Sequence, residues 1–334
     1  MAHQSNTNWG IIGHEWAVAL LRQSIAGGRI GHAYLISGPA EIGKALLALR
    51  LAQTLNCEAG GPDPCLACRS CGKIARGNHP DIRVSGLEQQ GAGLKAEEAA
   101  RQRDLKIDTV REWQSDITLR PYEARRRIFI LHDAEKLSEA AANAMLKTLE
   151  EPPPYATILL VANTAGDMLP TIVSRCQSLR LRPVPRPTLA AALIARGIVE
   201  EDAHLLAAWS GGRAGWALRM IADPDALAAR QAHLDELAEL AGMSRSAGLR
   251  WAEERAKEYR GGEQAAVFAA LELWQSWWRD VLLVAAGFPD GVTHVDRRDA
   301  LARAAAHYDV AAIHAFIARL ARATRQLREN VNPQ

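Results

Sequence analysis

The chain has 334 residues, 48% of them hydrophobic and 5% aromatic, with a formal net charge of +2. This apolar content sustains packed cores in two or three domains, and abundant alanine with few aromatics favours helix over sheet. A charge so near zero does not mark a dedicated nucleic-acid binder, so any DNA contact is expected to be local or shared with partners, and no apolar run approaches the ~20 residues that span a bilayer.

Met1 to Gly10 is polar and lacks the apolar stretch of a secretory signal. A cytoplasmic location is therefore expected, where thiols stay reduced and clustered cysteines bind metal. Residues 33–37 read as a short buried strand, followed by Gly38-x4-Gly43-Lys44 and a mostly apolar helix through Leu55. That glycine spacing lets backbone N–H groups cradle phosphates while a lysine reaches the β/γ oxygens. The next position normally supplies a hydroxyl to Mg²⁺; here it is Ala45. An ordinary tight turn between strand and helix is the competing reading.

Cys57-x7-Cys65-x2-Cys68-x2-Cys71 comes next and holds four of the five cysteines. Its spacing and ligand count match a closed tetrahedral zinc site, structural rather than catalytic because no position stays open. His79 is expected to be a turn residue before Pro80 rather than a ligand. From Ser85 to Asp104 the chain reads as a solvated loop, and Asp108 is a plausible helix cap.

A second strand, Ile128 to Leu131, follows Arg125-Arg126-Arg127, a run expected to be a solvated turn. Beyond it stand His132, Asp133 and Ala134. Either Asp133 is a metal-binding aspartate and Ala134 replaces the catalytic glutamate, or His132 takes the metal position and Asp133 stands in for the glutamate. In both registers one carboxylate is lost, and imidazole is a poor ligand for Mg²⁺. Ser138 caps a helix that Pro152-Pro153-Pro154 stops, and Thr157 to Val161 is a third strand of the continuous apolar kind found in parallel sheets. Strand–helix alternation to about Leu181 indicates an α/β domain.

Pro183, Pro185 and Pro187 read as a stiff joint. Beyond them the periodic segments are helical. Leu234, Leu237, Ala238 and Ala241 share a face, as do Trp274, Trp277, Trp278, Val281 and Leu282, and Ile313, Phe316, Ile317, Leu320, Thr324 and Leu327. The tryptophans are expected in the core, and Arg319, Arg322, Arg325 and Arg328 on a hydrated helix face.

Ala33-Tyr34-Leu35-Ile36-Ser37-Gly38-Pro39, the cysteine run, Asn78-His79-Pro80-Asp81, the stretch from Asn143 to Pro153, and Ser174-Arg175-Cys176 occur in that order. In this combination the chain resembles the bacterial clamp-loader branch of the AAA+ ATPases, strongly over roughly residues 10–220 and mostly in architecture beyond. The resemblance implies an AAA+ α/β domain over 1–182 carrying the zinc knuckle, a small helical lid over 183–225 and a helical collar over 226–334. It implies a degenerate nucleotide site from Gly38, Gly43, Lys44, Asp133 and Asn163, and leaves open whether ATP and Mg²⁺ still bind. Asn163-Thr164 resembles sensor 1. Gly215 stands where a sensor 2 arginine belongs, and Arg213 lies two residues off, about 200° around a helix.

Arg175 corresponds to an arginine that enters a neighbour's ATP site, where a guanidinium offsets transition-state charge. Cys176 is expected to be a thiol packed beside that loop. The resemblance thus implies a largely non-hydrolysing subunit that meets delta and gamma/tau clamp-loader subunits and, through them, a sliding clamp and primed DNA. The alternatives are a catalytically active clamp-loader ATPase subunit and a zinc-dependent DNA-binding module.

Overall fold

The computed structural model describes residues 8–92, 102, 104–240, 245–262 and 264–328. They form two compact units, one of residues 1–189 with 213–215 and the other of 190–212 with 216–334. The first is α/β and the second helical.

The α/β unit is built on a parallel sheet of β1 (Ala33–Ser37), β2 (Ile82–Ser85), β3 (Arg127–Leu131), β4 (Ala156–Ala162) and β5 (Gln177–Arg180), in the order β2-β3-β4-β1-β5. Every residue of β1 and β4 is buried, as the apolar runs require of central strands covered on both faces. Alternation then divides the side chains. Tyr34, Ile36, Ile128, Ile130, Leu159 and Val161 pack with α1 (Glu15–Ala26) and α2 (Lys44–Leu55). Leu35, Phe129, Leu131, Ile158 and Leu160 face helices Ile107–Ile117 and Glu139–Glu150. The edge strands β2 and β5 are more polar, which is why the apolar runs single out only the central three.

Several expectations need correction. The segment 85–104 begins with the end of β2 and a short helix, Leu87–Gly91, while 93–101 and 103 fall outside the described residues. Asp108 does not cap its helix: Lys106 occupies the cap position, without a side-chain bond. Pro187 sits within the first turn of helix Arg186–Ile194, where a missing N–H costs nothing, rather than in a joint. Arg126 is not in a solvated turn, since its guanidinium donates to Thr157 Oγ1 and the Ala156 carbonyl. Arg127 belongs to β3 and donates to the Leu119 and Arg120 carbonyls. Ser138 does cap its helix, accepting from Ala141 N–H at 3.3 Å.

In the helical unit, Trp277, Val281, Leu234, Leu237, Leu301 and Ile313 form the core. Trp274 stacks on Trp251 with centroids 4.6 Å apart, and Trp278 packs on Phe316 at 4.8 Å. The tryptophan cluster is therefore a packing element. Arg319, Arg322 and Arg325 are exposed along helix Val310–Arg328; Ala241 and the Arg328 side chain lie outside the described residues.

Asp280, wholly buried, is the polar pin of this unit. It accepts from Thr293 N–H (2.6 Å), His294 N–H (2.8 Å), His294 Nδ1 (2.8 Å) and Arg279 (2.8 Å). Burial alone would raise its carboxyl, but the bonds from His294, with the charges of His294 and Arg279, carry it below the usual carboxylate range. D280A leaves those donors unpaired and should destabilise this unit by about 3–5 kcal/mol at neutral pH in chemical denaturation. Because the folded pKa is the depressed one, the wild-type contribution is present above the ordinary carboxylate pKa. It is lost as pH falls through the folded value, and a denaturation series from neutral to acid pH checks that direction.

Candidate nucleotide-like site and metal centre

Strand β1 ends at Ser37, and the chain turns at Gly38, whose φ of 151° and close approach to the Leu181 carbonyl leave no room for a side chain: a Cβ there would lie 2.5 Å from that oxygen. Gly43 (φ 109°) precedes α2, which Lys44 begins. The loop thus lies outside the carboxyl edge of the sheet between β1 and β4, where parallel α/β folds receive ligands.

Lys44 is nearly buried, and its three donors are committed within the protein. Nζ donates to the Gly38 carbonyl at 2.6 Å, the Pro39 carbonyl at 2.7 Å and Asn163 Oδ1 at 3.0 Å. Burial lowers its pKa, and the charges of Glu135 and Asp133 counter that. Asn163, at the tip of β4, passes the contact on by donating Nδ2 to Glu135 Oε1 at 2.7 Å. Thr164 instead turns inward on its own loop and accepts from Gly166 N–H.

Of the predicted residues, Gly38, Gly43, Lys44 and Asn163 come together here. Asp133, in the left-handed region at φ 54°, is within electrostatic reach of Lys44 but accepts from Leu87 N–H at 3.4 Å. His132 has its pKa lowered by burial, with Asp133 and Glu88 opposing, so it is a neutral imidazole at pH 7. Ala45 and His132 therefore offer no oxygen ligand.

Two contacts at this site are not legible in the sequence. Glu135 joins through Asn163, and its Oε2 is buried without a hydrogen-bond partner; being one residue past the expected carboxylate pair, it gave no motif signal. Gly215 donates its N–H to the Glu41 carbonyl at 2.8 Å, so the position of the missing arginine is a glycine in backbone contact with the phosphate loop. Glu41 itself has φ 58°. Arg213 precedes helix Ala214–Ala222, so the angular argument made for it within a helix does not apply.

Arg175 stands apart from this cluster, just beyond helix Pro170–Val173. It donates to Glu150 Oε1 at 2.6 Å and the Thr171 carbonyl at 2.9 Å, with its side chain 35% exposed. Cys176 beside it is half-buried, and burial pushes its thiol up to about 11.

The Sγ atoms of Cys57, Cys65, Cys68 and Cys71 all lie within 4.8 Å of one another. A tetrahedral zinc with Zn–S near 2.3 Å requires roughly 3.8 Å between sulfurs, so four thiols in this arrangement fit a structural zinc. The backbone supports them: Cys65 N–H donates to Cys57 Sγ, Cys68 N–H to Cys65 Sγ and Cys71 N–H to Cys68 Sγ. Bonds from the Ala67 and Cys68 backbone bring the Cys65 thiol down to about 7, whereas burial pushes Cys71 up.

His79 is not a simple turn residue. It is buried, its Nδ1 accepts from Asp81 N–H at 3.2 Å, and its Nε2 lies 3.7 Å from Glu123. Asp81, also buried, accepts from the N–H groups of Tyr122, Glu123 and Ala124 at 2.7–2.8 Å. These bonds hold the 122–124 turn ahead of β3.

Together the loop, the lysine, the β4 tip and the inserted cysteine knuckle define a phosphate-loop α/β protein with an incomplete metal-ligand set. The chain belongs to the DNA polymerase III delta subunit family: residues 13–185 match the model described as "DNA polymerase III, delta subunit", and 224–334 the one described as "DNA polymerase III, delta subunit, C terminal". It is delta-prime-like. The DNA polymerase III subunit delta' of Bacillus subtilis is 32% identical over 188 residues, covering 56% of this chain and 53% of that protein. That of Pseudomonas aeruginosa is 35% identical over 205 residues, covering 60% and 58%. The subunit gamma/tau of Mycobacterium tuberculosis is 35% identical over 200 residues, covering 58% of this chain but 32% of that protein. The chain thus spans little more than half the length of the delta' relatives it matches.

The Gly215 contact is testable. A Cβ there would stand 2.7 Å from the Glu41 carbonyl oxygen, which is backbone and cannot swing away. G215A should therefore cost about 1–3 kcal/mol in chemical denaturation, whereas an alanine replacing the uncrowded Gly248 should not approach that cost.

Proposed function

We propose that this protein is a delta-prime-like clamp-loader subunit of the DNA polymerase III holoenzyme, a largely non-hydrolysing stator. Its domains are those expected from the sequence: an AAA+ α/β domain over 1–182, a lid over 183–225 and a collar over 226–334. It is cytoplasmic and works in a hetero-oligomer with delta and gamma/tau subunits, through which it serves a sliding clamp and primed DNA. No helix among the described residues is long and apolar enough to cross a membrane.

The observation that carries this reading is the state of the phosphate loop. Lys44 has every donor occupied by Gly38, Pro39 and Asn163, Ala45 has no hydroxyl, and Gly215 leans backbone on the loop. A phosphate entering here must displace Lys44 from its carbonyls and finds no protein oxygen at position 45 to help hold Mg²⁺. Arg175, by contrast, is tethered by a partly exposed ion pair to Glu150, an interaction worth about 0–1 kcal/mol, and by one hydrogen bond to the Thr171 carbonyl. It can leave Glu150 at little cost to act in trans on a neighbour's ATP. Fingers supplied in this way contribute roughly 10³–10⁵ in rate.

The four cysteines are assigned to structural zinc, which contributes on the order of 10–16 kcal/mol to local folding in isolated zinc modules. A zinc-dependent DNA-binding module is the weaker reading, because the net charge of +2 supplies little attraction to phosphate. An active ATPase subunit has one observation in its favour: Glu135, whose buried Oε2 has no hydrogen-bond partner, lies near Lys44.

Reconstitution with partner subunits tests the proposal. R175A should leave assembly intact and lower clamp-stimulated ATPase by about 10²-fold or more; an unchanged rate removes the trans role. Magnesium-dependent ATP turnover by the purified chain alone, abolished by K44A, would establish the ATPase reading instead. Metal analysis of the purified protein should give close to one zinc per chain, and C65S should lose it.

A further inference from the structure

Between the cysteine knuckle and the turn before β3 lies a cavity of ≈ 340 Å³ that neither the phosphate loop nor the metal centre uses. The Asn78-His79-Pro80-Asp81 motif builds one wall of it. Asp81 fixes the backbone of 122–124 through three N–H bonds, and that turn carries Glu123 and Arg125 to the cavity. The knuckle brings Arg69, Ser70 and Lys73 from the opposite side.

Donors outnumber acceptors here, and several lack partners. The Ser70 hydroxyl is buried with no hydrogen-bond partner, in a residue only 8% exposed. Leaving a hydroxyl unsatisfied in this way is costly unless something else fills the bond. Arg69 makes no hydrogen bond or ion pair among the described residues beyond its attraction to Glu123. Arg125 has a single bond, at the 3.5 Å limit, to the Glu58 carbonyl. Because His79 Nδ1 accepts from Asp81 N–H, the ring proton sits on Nε2, and Glu123 Oε1 lies 3.7 Å from that nitrogen, beyond hydrogen-bond range.

The two carboxylates of the lining are already engaged. Glu123 is paired with Lys73 at 2.5 Å, and Glu58 accepts from Ser70 N–H at 3.1 Å. What remains is two weakly held guanidiniums, a hydroxyl without a partner and an imidazole N–H, a donor set that suits a phosphoryl group. No phenylalanine, tyrosine or tryptophan lines the cavity, so its lining favours the phosphate and sugar over a base. The volume exceeds that of a bare anion and falls at the lower end of small-molecule pockets.

We propose that this cavity binds a phosphomonoester through its phosphate and the attached sugar, with Arg69, Arg125, Ser70 Oγ and His79 Nε2 as donors. The phosphate comes from a free sugar phosphate or from the phosphorylated 5′ end of a nucleic-acid strand. The inference stands on the cavity alone and does not depend on the clamp-loader reading.

The test uses the full zinc-loaded chain. Calorimetric titration with ribose 5-phosphate is compared with anisotropy of matched single-stranded DNA oligonucleotides bearing a 5′-phosphate or a 5′-hydroxyl. Saturable binding is expected, weakened by about tenfold or more in R69Q/R125Q and by a few-fold in S70A. S70A should keep its zinc and its melting temperature, because the hydroxyl it removes has no protein partner. Preference for the 5′-phosphorylated strand identifies a strand end as the source; binding of ribose 5-phosphate with no difference between the strands identifies the free ligand. Absence of binding by every probe overturns the proposal. So does binding that R69Q/R125Q leaves intact, which would place the phosphate on the loop around Lys44.

Discussion

The contact of Lys44 with two loop carbonyls and the Asn163 side chain joins the ends of β1 and β4, neighbouring inner strands of the sheet. A primary ammonium buried this deeply requires acceptors on all its protons, or desolvation would drive it neutral. The loop supplies them from its own backbone. The glycine loop is thereby held on its own lysine, and Gly215 adds a backbone bond to Glu41 at a position where a Cβ would lie 2.7 Å from that carbonyl oxygen. Ala45 offers no hydroxyl beside this loop, and the Lys44 and Gly215 contacts bind the loop to the rest of the unit.

The second fixed point is the seam between the cysteine knuckle and the sheet. Gln53 of α2 donates to the Cys71 carbonyl, and Asn56 exchanges bonds with the Arg126 backbone. Asp81 holds the turn on the other side. A short excursion with four sulfurs and little apolar mass is thus positioned by polar bonds to a rigid body. That polar character produces a cavity at the seam where an apolar interface would have closed.

Much of the α/β unit is legible in the sequence because its physics is local. The runs at 33–37, 128–131 and 157–161 are largely apolar because the sheet is covered on both faces, and helix Glu139–Glu150 begins on its Ser138 cap and ends before Pro152. The cysteine spacing is equally direct, since a metal demands a fixed ligand type and count. Strands β2 and β5 carry no such run because an edge strand buries only part of its surface, and the four-residue alternation of Ile82-Arg83-Val84-Ser85 is too short to stand out. Arg126 was misread for a related reason: a guanidinium satisfied by carbonyls of the neighbouring strand has the same sequence appearance as one in water.

By itself, the sequence determined which atoms are present: the glycines and lysine of the loop, the missing oxygen at position 45, the four thiols and the arginine at 175. Those follow from side-chain chemistry and short-range spacing. Only the tertiary structure decided where the donors go: that Lys44 turns back on its own loop, that Gly215 touches Glu41, that Glu135 enters through Asn163, and that Ser70 is buried with no partner. Each of these joins residues far apart in the chain or depends on the direction in which a buried group points. Hydrogen bonding across such separations is set by packing, which no local pattern records.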